Sequence, residues 1–394
     1  MAKAAPMSLP RVYLDNAATS WPKPESVYLA LDAYLRTGGA NVGRGVYRSG
    51  LLADEAVSRA RRGVAHLLGW KASHVIFTAG CTDSLNLGLH GLVRPGDHVV
   101  TTVLEHNSIL RPLRALEDAG VAVDRVGCDG LGFVDPDELA RALRADTRLV
   151  AITQASNVTG AVQPLREIAG HVRSRSSAKL LVDAAQSLGH IPWDATLDVD
   201  LVACSGHKGL LGLLGVGILA IKPGIERELA PLRQGGTGSR SDQDLQPAEL
   251  PDKYESGSLN VPGIVGLSAG LEFLAGQGIE MLEARSRELT ARLLEGLATM
   301  PQVTVYGPRD PADGQRRLGV VSFNVGEYDP RELAAILDSH YGLEIRAGIH
   351  CAPRMHQALD TLRRGGTARL SLGPFSTVEH VDLALRAIGE VAAS

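Results

Sequence analysis

Residues 179–206 read KLLVDAAQSLGHIPWDATLDVDLVACSG, and two apolar runs within them, 179–185 and 200–206, set the fold class. Both are apolar almost throughout, as expected of parallel strands covered on both faces. Asp183 lies near the end of the first, and Ser205-Gly206-His207-Lys208-Gly209 closes the second. Outward from this stretch, similar runs appear at VIFTAG (75–80), HVVTTVL (98–104), RLVAITQ (148–154) and VGILAIK (216–222). Segments with helical spacing separate them at 107–119, 136–145 and 165–175. Such alternation predicts an α/β domain with a mostly parallel central sheet. After Pro223 the pattern changes. Residues 233–260 are polar and rich in Gly, Ser, Pro and Asp, which reads as a long functional loop. A helical region over about 262–299, interrupted near Gly276–Gly278, precedes short strands at VTVYG, GVVSFNV, LEIRAG and ARLSLGP. With helices at 330–339 and 377–392 these predict a smaller C-terminal α/β domain.

Composition narrows the function classes. At 394 residues the chain has room for two or three domains of roughly 150 residues. With 44% hydrophobic and 21% charged residues it is ordinary globular material rather than a disordered chain. The net charge of −4, with both signs interspersed, predicts no nucleic-acid partner. No apolar run approaches the ~20 residues needed to span a bilayer. The start, MAKAAPMSLPRVYLDNAATS, lacks an apolar signal core, so the expectation is a cytoplasmic protein without membrane contact. Cys81, Cys128, Cys204 and Cys351 are too few and too scattered for a disulfide framework, and no C-x-x-C pair suggests a metal. Of 40 basic residues only seven are lysines, and none follows Lys253. Chemistry that needs a primary amine has few candidates.

Lys208 is the strongest of them. A strand-end lysine can snorkel to solvent; alternatively, burial can disfavour its charge and leave a nucleophilic amine. Asp183 can pair with a protonated ring nitrogen, as a pyridoxal cofactor requires, or bind Mg²⁺, or cap a helix. Thr78-Ala79-Gly80-Cys81-Thr82-Asp83-Ser84 is a strand, a glycine turn and a helix start. Free amides there cradle a phosphate, or Thr82 or Asp83 simply caps the helix. Neither a Walker A loop nor a G-x-G-x-x-G fingerprint is present. Phosphate cradle, strand-end Asp and strand-end Lys, in that order, are the three fixed points of a bound pyridoxal phosphate.

With these residues in view, the chain resembles the class V aminotransferase-fold enzymes, and specifically the cysteine desulfurases. The matching motifs are AGCTDSLN, EHNS, SNVTG, VDAAQS, SGHKG, GGTGS, ESGSLN, RAGIHCAP and GTARLS, within a span from YLDNAATSWPKP (13–24) to GPFSTVEHVD (373–382). The resemblance implies pyridoxal-phosphate-dependent transferase fold type I, with a large domain at 21–275 and a small domain formed by 1–20 and 276–394. It implies that Lys208 binds the aldehyde of pyridoxal 5'-phosphate, that Asp183 holds the ring nitrogen, and that His106 stacks on the ring. Asn157 and Gln186 would bond near the ring hydroxyl. Thr82, Ser205, His207 and the Cys81 amide would hold the phosphate, and Ser258 would reach the phosphate of a neighbouring subunit in a homodimer. Arg369 would clamp the substrate carboxylate, with Asn157 and Arg346 also facing the substrate.

Cys351 matches the desulfurase cysteine that takes sulfur from L-cysteine as a persulfide, leaving L-alanine, and its alternative is a buried inert thiol. Arg346 and His350 stand close enough in sequence to favour its thiolate. The short R-x-G-x-x-C spacing resembles the Suf-type, group II enzymes, which discharge the persulfide to an acceptor protein for iron–sulfur or other sulfur-cofactor assembly. Three positions depart from the family: Cys81 where Thr is common, Leu213-Leu214 where Pro is common, and Tyr47 where Suf-type enzymes commonly have His. Alternatives on the same scaffold are a selenocysteine lyase, a C–S β-lyase and an amino-acid epimerase. A catalytically silent scaffold would have lost Lys208, Asp183, Cys351 or Arg369, and all four are present.

Overall fold

The computed structural model describes residues 11–43, 45, 47–309 and 317–394. Residues 1–10, on which part of the reading of the N-terminus rests, lie outside them. A two-residue strand β1 (Val12–Tyr13) leads into helices α1 (Glu25–Thr37) and α2 (Arg48–Leu68). The main sheet then forms from β2 (Val75–Thr78), β3 (His98–Thr102), β4 (Ala122–Val126), β5 (Thr147–Thr153), β6 (Lys179–Asp183), β7 (Leu201–Ser205) and β8 (Gly217–Ile221). Between them run α3 (Cys81–Leu92), α4 (Asn107–Asp118), α5 (Pro136–Ala142) and α6 (Leu165–Arg175). The strand order is β2-β8-β7-β6-β5-β3-β4. Strands β7, β6, β5, β3 and β4 are mutually parallel, and β8 runs antiparallel to both its neighbours, β2 and β7. The sheet is therefore mostly parallel. Strand β4 was missed by the sequence reading because it is a half-exposed edge, AVDRV, without a continuous apolar run.

The continuous apolar runs have a direct cause. Val150, Ile152, Leu180 and Val182 pack into a cluster with residues of α2, α6 and α7 (Val261–Gln277). Their neighbours Leu149, Ala151 and Leu181 point to the other face, into a cluster with residues of α3 and α4. Side chains alternate along a strand, so a sheet with helices on both faces needs apolar residues at every position.

Helix α8 (Ile279–Ala298) follows α7 after Gly278, which has φ 80°, a conformation that glycine adopts without a Cβ penalty. Strands β9 (Val303–Tyr306), β10 (Val320–Val325), β12 (Arg346–Gly348) and β13 (Thr367–Ser371) form an antiparallel sheet in the order β12-β13-β10-β9. The run LEIRAG, expected as one strand, is split. Its first half, β11 (Leu343–Glu344), pairs in parallel with β1, while its second half joins the four-stranded sheet. Helices α9 (Pro330–Tyr341) and α11 (Val378–Ala393) share one hydrophobic cluster with that sheet, α8, Val12 and Leu14. A short α10 (Pro353–Ala358) follows Cys351. Residues 228–260 contain no helix or strand. Among the described residues no helix is long and apolar enough to cross a membrane.

Candidate active site

The C-terminal ends of the parallel strands meet at one edge of the main sheet, where ligands of open α/β sheets gather. Strand β3 ends just before His106, β5 before Asn157, β6 in Asp183, and β7 in Ser205, three residues before Lys208. Strand β2 delivers α3 to the same edge, because Thr78 and Ser205 are both register partners of Gly217. These elements enclose a cavity of about 220 Å³. Cys81, Thr82, His106, Asn157, Asp183, Gln186, Ser205, His207 and Lys208 all line it, and so do Thr153 and Ser108, which the sequence reading did not single out.

Burial sets the electrostatics. Lys208 has its ammonium form disfavoured by burial, with Asp183 opposing that shift. The Asp183 carboxyl is pushed up by burial, while the Ala185 amide (2.9 Å) and, more weakly, the Cys81 thiol (3.6 Å) donate to its Oδ1. Burial, together with the charge of Lys208, drives both His106 and His207 down to about 4, so both rings are neutral. The Ser108 amide donates to His106 Nδ1 at 3.0 Å, which caps α4 and leaves the ring proton on Nε2. Thr82 Oγ1 and Ser108 Oγ are joined at 2.7 Å.

The wall fits a pyridoxal phosphate. His207 Nδ1 is buried without a partner. In α3 the first amide to find an intrahelical acceptor is that of Ser84, which bonds Gly80 O at 3.1 Å, so the amides of the first turn stand free for an anion. Asp183 is a buried acid whose ionised form calls for a cationic partner. An amine, an acid and an anion cradle on one cavity wall match the three ends of that cofactor.

The remaining residues named from sequence do not line the cavity. Cys351 sits on a turn in which His350 (φ 51°) and Cys351 (φ 60°) are both left-handed, a conformation costing on the order of 1–3 kcal/mol each for residues with a Cβ. Two bonds hold that turn against the cavity wall. The Asn107 amide donates to Cys351 O at 2.8 Å, and Asn157 Nδ2 donates to His350 O at 2.6 Å. Arg346 Nη2 lies 3.4 Å from Cys351 Sγ. The expectation that His350 would add positive charge beside the thiol is corrected. Its ring is 2% exposed, Nε2 bonds Thr367 Oγ1 at 3.0 Å, and burial with the charge of Arg369 holds it neutral.

Arg369 is fully buried on β13. Nη1 donates to Asn157 O at 3.0 Å, Nη2 donates to Asp15 Oδ1 at 2.7 Å, and Nε has no partner. Asp15 lies in the quoted YLDNAATS motif, yet nothing in the sequence marks it as the partner of a residue 354 positions away. Ser258 is not on the cavity wall of its own chain. It accepts from Asn41 Nδ2 at 3.0 Å and lines a second hollow with Thr78, Arg233, Glu255 and Asn260. Among the described residues no cluster of three or more His, Cys, Asp or Glu side chains is arranged to hold a metal.

A family model described as aminotransferase class-V matches residues 12–384. The chain is similar to a probable cysteine desulfurase of Methanothermobacter thermautotrophicus, 35% identical over 98% of this chain and 96% of the relative. It is 32% identical to a cysteine desulfurase of Salmonella dublin over 95% of this chain and 91% of that protein. Among solved structures, the apo cysteine desulfurase of Thermococcus onnurineus NA1 superposes with a TM-score of 0.90 at 32% identity, covering 99% of this chain and 100% of that one. The cysteine desulfurase CsdA of Escherichia coli gives 0.85 at 30% identity, covering 97% and 94%.

Proposed function

The chain belongs to the class-V aminotransferases and, within them, to the cysteine desulfurases, and from that premise we propose which of its residues carry the reaction. It is a pyridoxal-phosphate-dependent enzyme that takes L-cysteine to L-alanine and passes the sulfur onward. The cofactor supplies an electron sink that lets bonds at Cα and Cβ of a bound amino acid break. Lys208, Asp183 and His106 would hold its aldehyde, ring nitrogen and ring face; Asn157 and Gln186 its ring hydroxyl; Cys81, Thr82, Ser205 and His207 its phosphate.

Each residue then has a task at a stated atom. Lys208 Nζ, whose ammonium form burial disfavours, is the base that removes the Cα proton. His106 presents its Nε2–H to the reacting atoms, oriented by the Ser108 amide. Arg369, whose Nε is the one guanidinium nitrogen without a partner, binds the substrate carboxylate. Arg346 Nη2 donates to Cys351 Sγ at 3.4 Å and so orients the attacking sulfur. Cys351 attacks the sulfur of the substrate, and the Cβ–S bond breaks. The thiol of Cys351 plus L-cysteine thus becomes a Cys351 persulfide plus L-alanine, with all hydrogens retained, and an acceptor then takes the outer sulfur.

The observation that carries this reading is the pair of hydrogen bonds, from the Asn107 amide and Asn157 Nδ2, that tie the Cys351 turn to the cavity wall. We further propose a homodimer in which Ser258 reaches the partner's phosphate site. Its position away from the cavity of its own chain supports this. So do the exposed apolar side chains Leu29, Leu35, Tyr47, Leu51 and Leu52 on α1 and at the start of α2. Product analysis tests the reaction. Alanine and sulfide in equal amounts from L-cysteine plus reductant are expected; pyruvate and ammonia, or D-cysteine, would assign a lyase or epimerase instead.

A further inference from the structure

Glu105 is fully buried, directly before His106, and no step above uses it. Its Oε1 accepts from Thr102 Oγ1 at 2.8 Å and from the Thr153 amide at 3.2 Å, while its Oε2 is buried with no partner. The Thr102 hydroxyl also accepts from the Leu104 amide at 3.1 Å. One side chain therefore bridges the end of β3, which carries His106, and the end of β5, which carries Thr153 and then Asn157. Thr153 in turn sits against the end of β6, since Gln154 N donates to Asp183 O at 2.9 Å. A carboxylate in this place would need donors at both oxygens or a cation nearby, and Oε2 has neither.

We propose that Glu105 is a positioning residue that acts as a neutral carboxylic acid, stapling the ends of β3 and β5 so that His106 and Asn157 keep their places around the cofactor. The charge that reaches it is that of Asp183 on β6, and it is negative. Burial first, and that charge second, push its carboxyl up to about 8, while the bonds from Thr102 and Thr153 pull the other way. The proposal rests on the reading of His106 and Asn157 as cofactor-facing residues, and part of its test needs no cofactor.

The test uses the full chain with Glu105→Gln and Glu105→Ala. Glutamine keeps the Oε1 acceptor and cannot ionise. The folded acid binds a proton that the unfolded acid has lost, so its stabilising effect falls as pH rises from its unfolded value near 4.5 towards 8. In the apoprotein, the Tm of Glu105→Gln minus that of wild type should therefore rise over that window and flatten above it. In cofactor titrations followed by visible absorbance, wild-type affinity should weaken above pH 8 and that of Glu105→Gln should not. Up to pH 8, Glu105→Ala should bind roughly tenfold more weakly than wild type, because the Thr153 amide loses its acceptor. A Tm difference independent of pH would overturn the neutral acid. Glu105→Gln binding as poorly as Glu105→Ala, or both binding like wild type, would overturn the staple. If instead wild type forms no alanine at neutral pH while these differences hold, it is the desulfurase reading that fails.

Discussion

Arg369 sits with its charge fully buried, and its proposed use as a carboxylate receptor depends on the two groups that already orient it, Asp15 and the Asn157 carbonyl. A lysine there has no planar fork and cannot serve both groups and a substrate at once. Arg369→Lys should raise KM for L-cysteine by about tenfold or more while kcat changes less, the loss expected for a charge-assisted hydrogen bond. Steady-state kinetics check this, and an unchanged KM would remove Arg369 from the substrate site. At this scale the sequence was readable where short motifs end strands, as with Asp183 and Lys208. It was mute about pairings made by folding: Asp15 with Arg369, and Glu105 with Thr153, lie within quoted motifs, yet only three-dimensional contact reveals their partners. His350 was misjudged for the same reason, since a sequence shows a histidine but not its burial.

The elements that matter most are the starts of α3 and α4 and the close approach that fixes the first of them. A Cβ on Gly217 would come within 2.2 Å of Gly80 C and 2.4 Å of Thr78 Oγ1, so β8 can lie against the α3 entry only without a side chain there. Gly217→Ala should cost about 1–3 kcal/mol, as overpacked sites do, and should weaken cofactor binding several-fold by moving the free amides of α3. Denaturation midpoints and cofactor titration measure the two effects; loss of neither would mean that the α3 entry is pliable. Six of the seven strands of the main sheet were legible because burial on both faces demands apolar runs. Strand β4 was hidden by its exposed edge, and the split of LEIRAG between β11 and β12 depends on the distant strand β1, which no local pattern encodes. We retain as a proposal the division into 21–275 and the remainder. Val12 and Leu14 packing with residues within 289–391 supports it, and residues 1–10 lie outside the described residues.

For the molecule as a whole, seven imidazoles, those of His90, His98, His106, His190, His207, His350 and His356, are held below their usual range, with burial the largest cause for each. Each binds fewer protons folded than unfolded, so its share of stability is present above pH 6.5 and is lost as pH falls towards 4. The Tm should drop steeply across that interval, and His356→Gln, which removes one titrating group, should lessen the slope. A flat Tm there would contradict the burial of these rings. The same whole-molecule view bears on assembly. Sedimentation should give a dimer, and mixing Lys208→Ala with Ser258→Ala chains should restore part of the activity that each lacks, because one mixed site would carry both native residues. The central claim remains that sulfur leaves the substrate on Cys351. Its most direct test is a single turnover with L-cysteine and no reductant, followed by mass analysis of the peptide that carries Cys351. One added sulfur on Cys351 is expected for each alanine formed, with neither product from Cys351→Ala. Alanine released at the wild-type rate by Cys351→Ala, or sulfur found on Cys81, Cys128 or Cys204 instead, would contradict it.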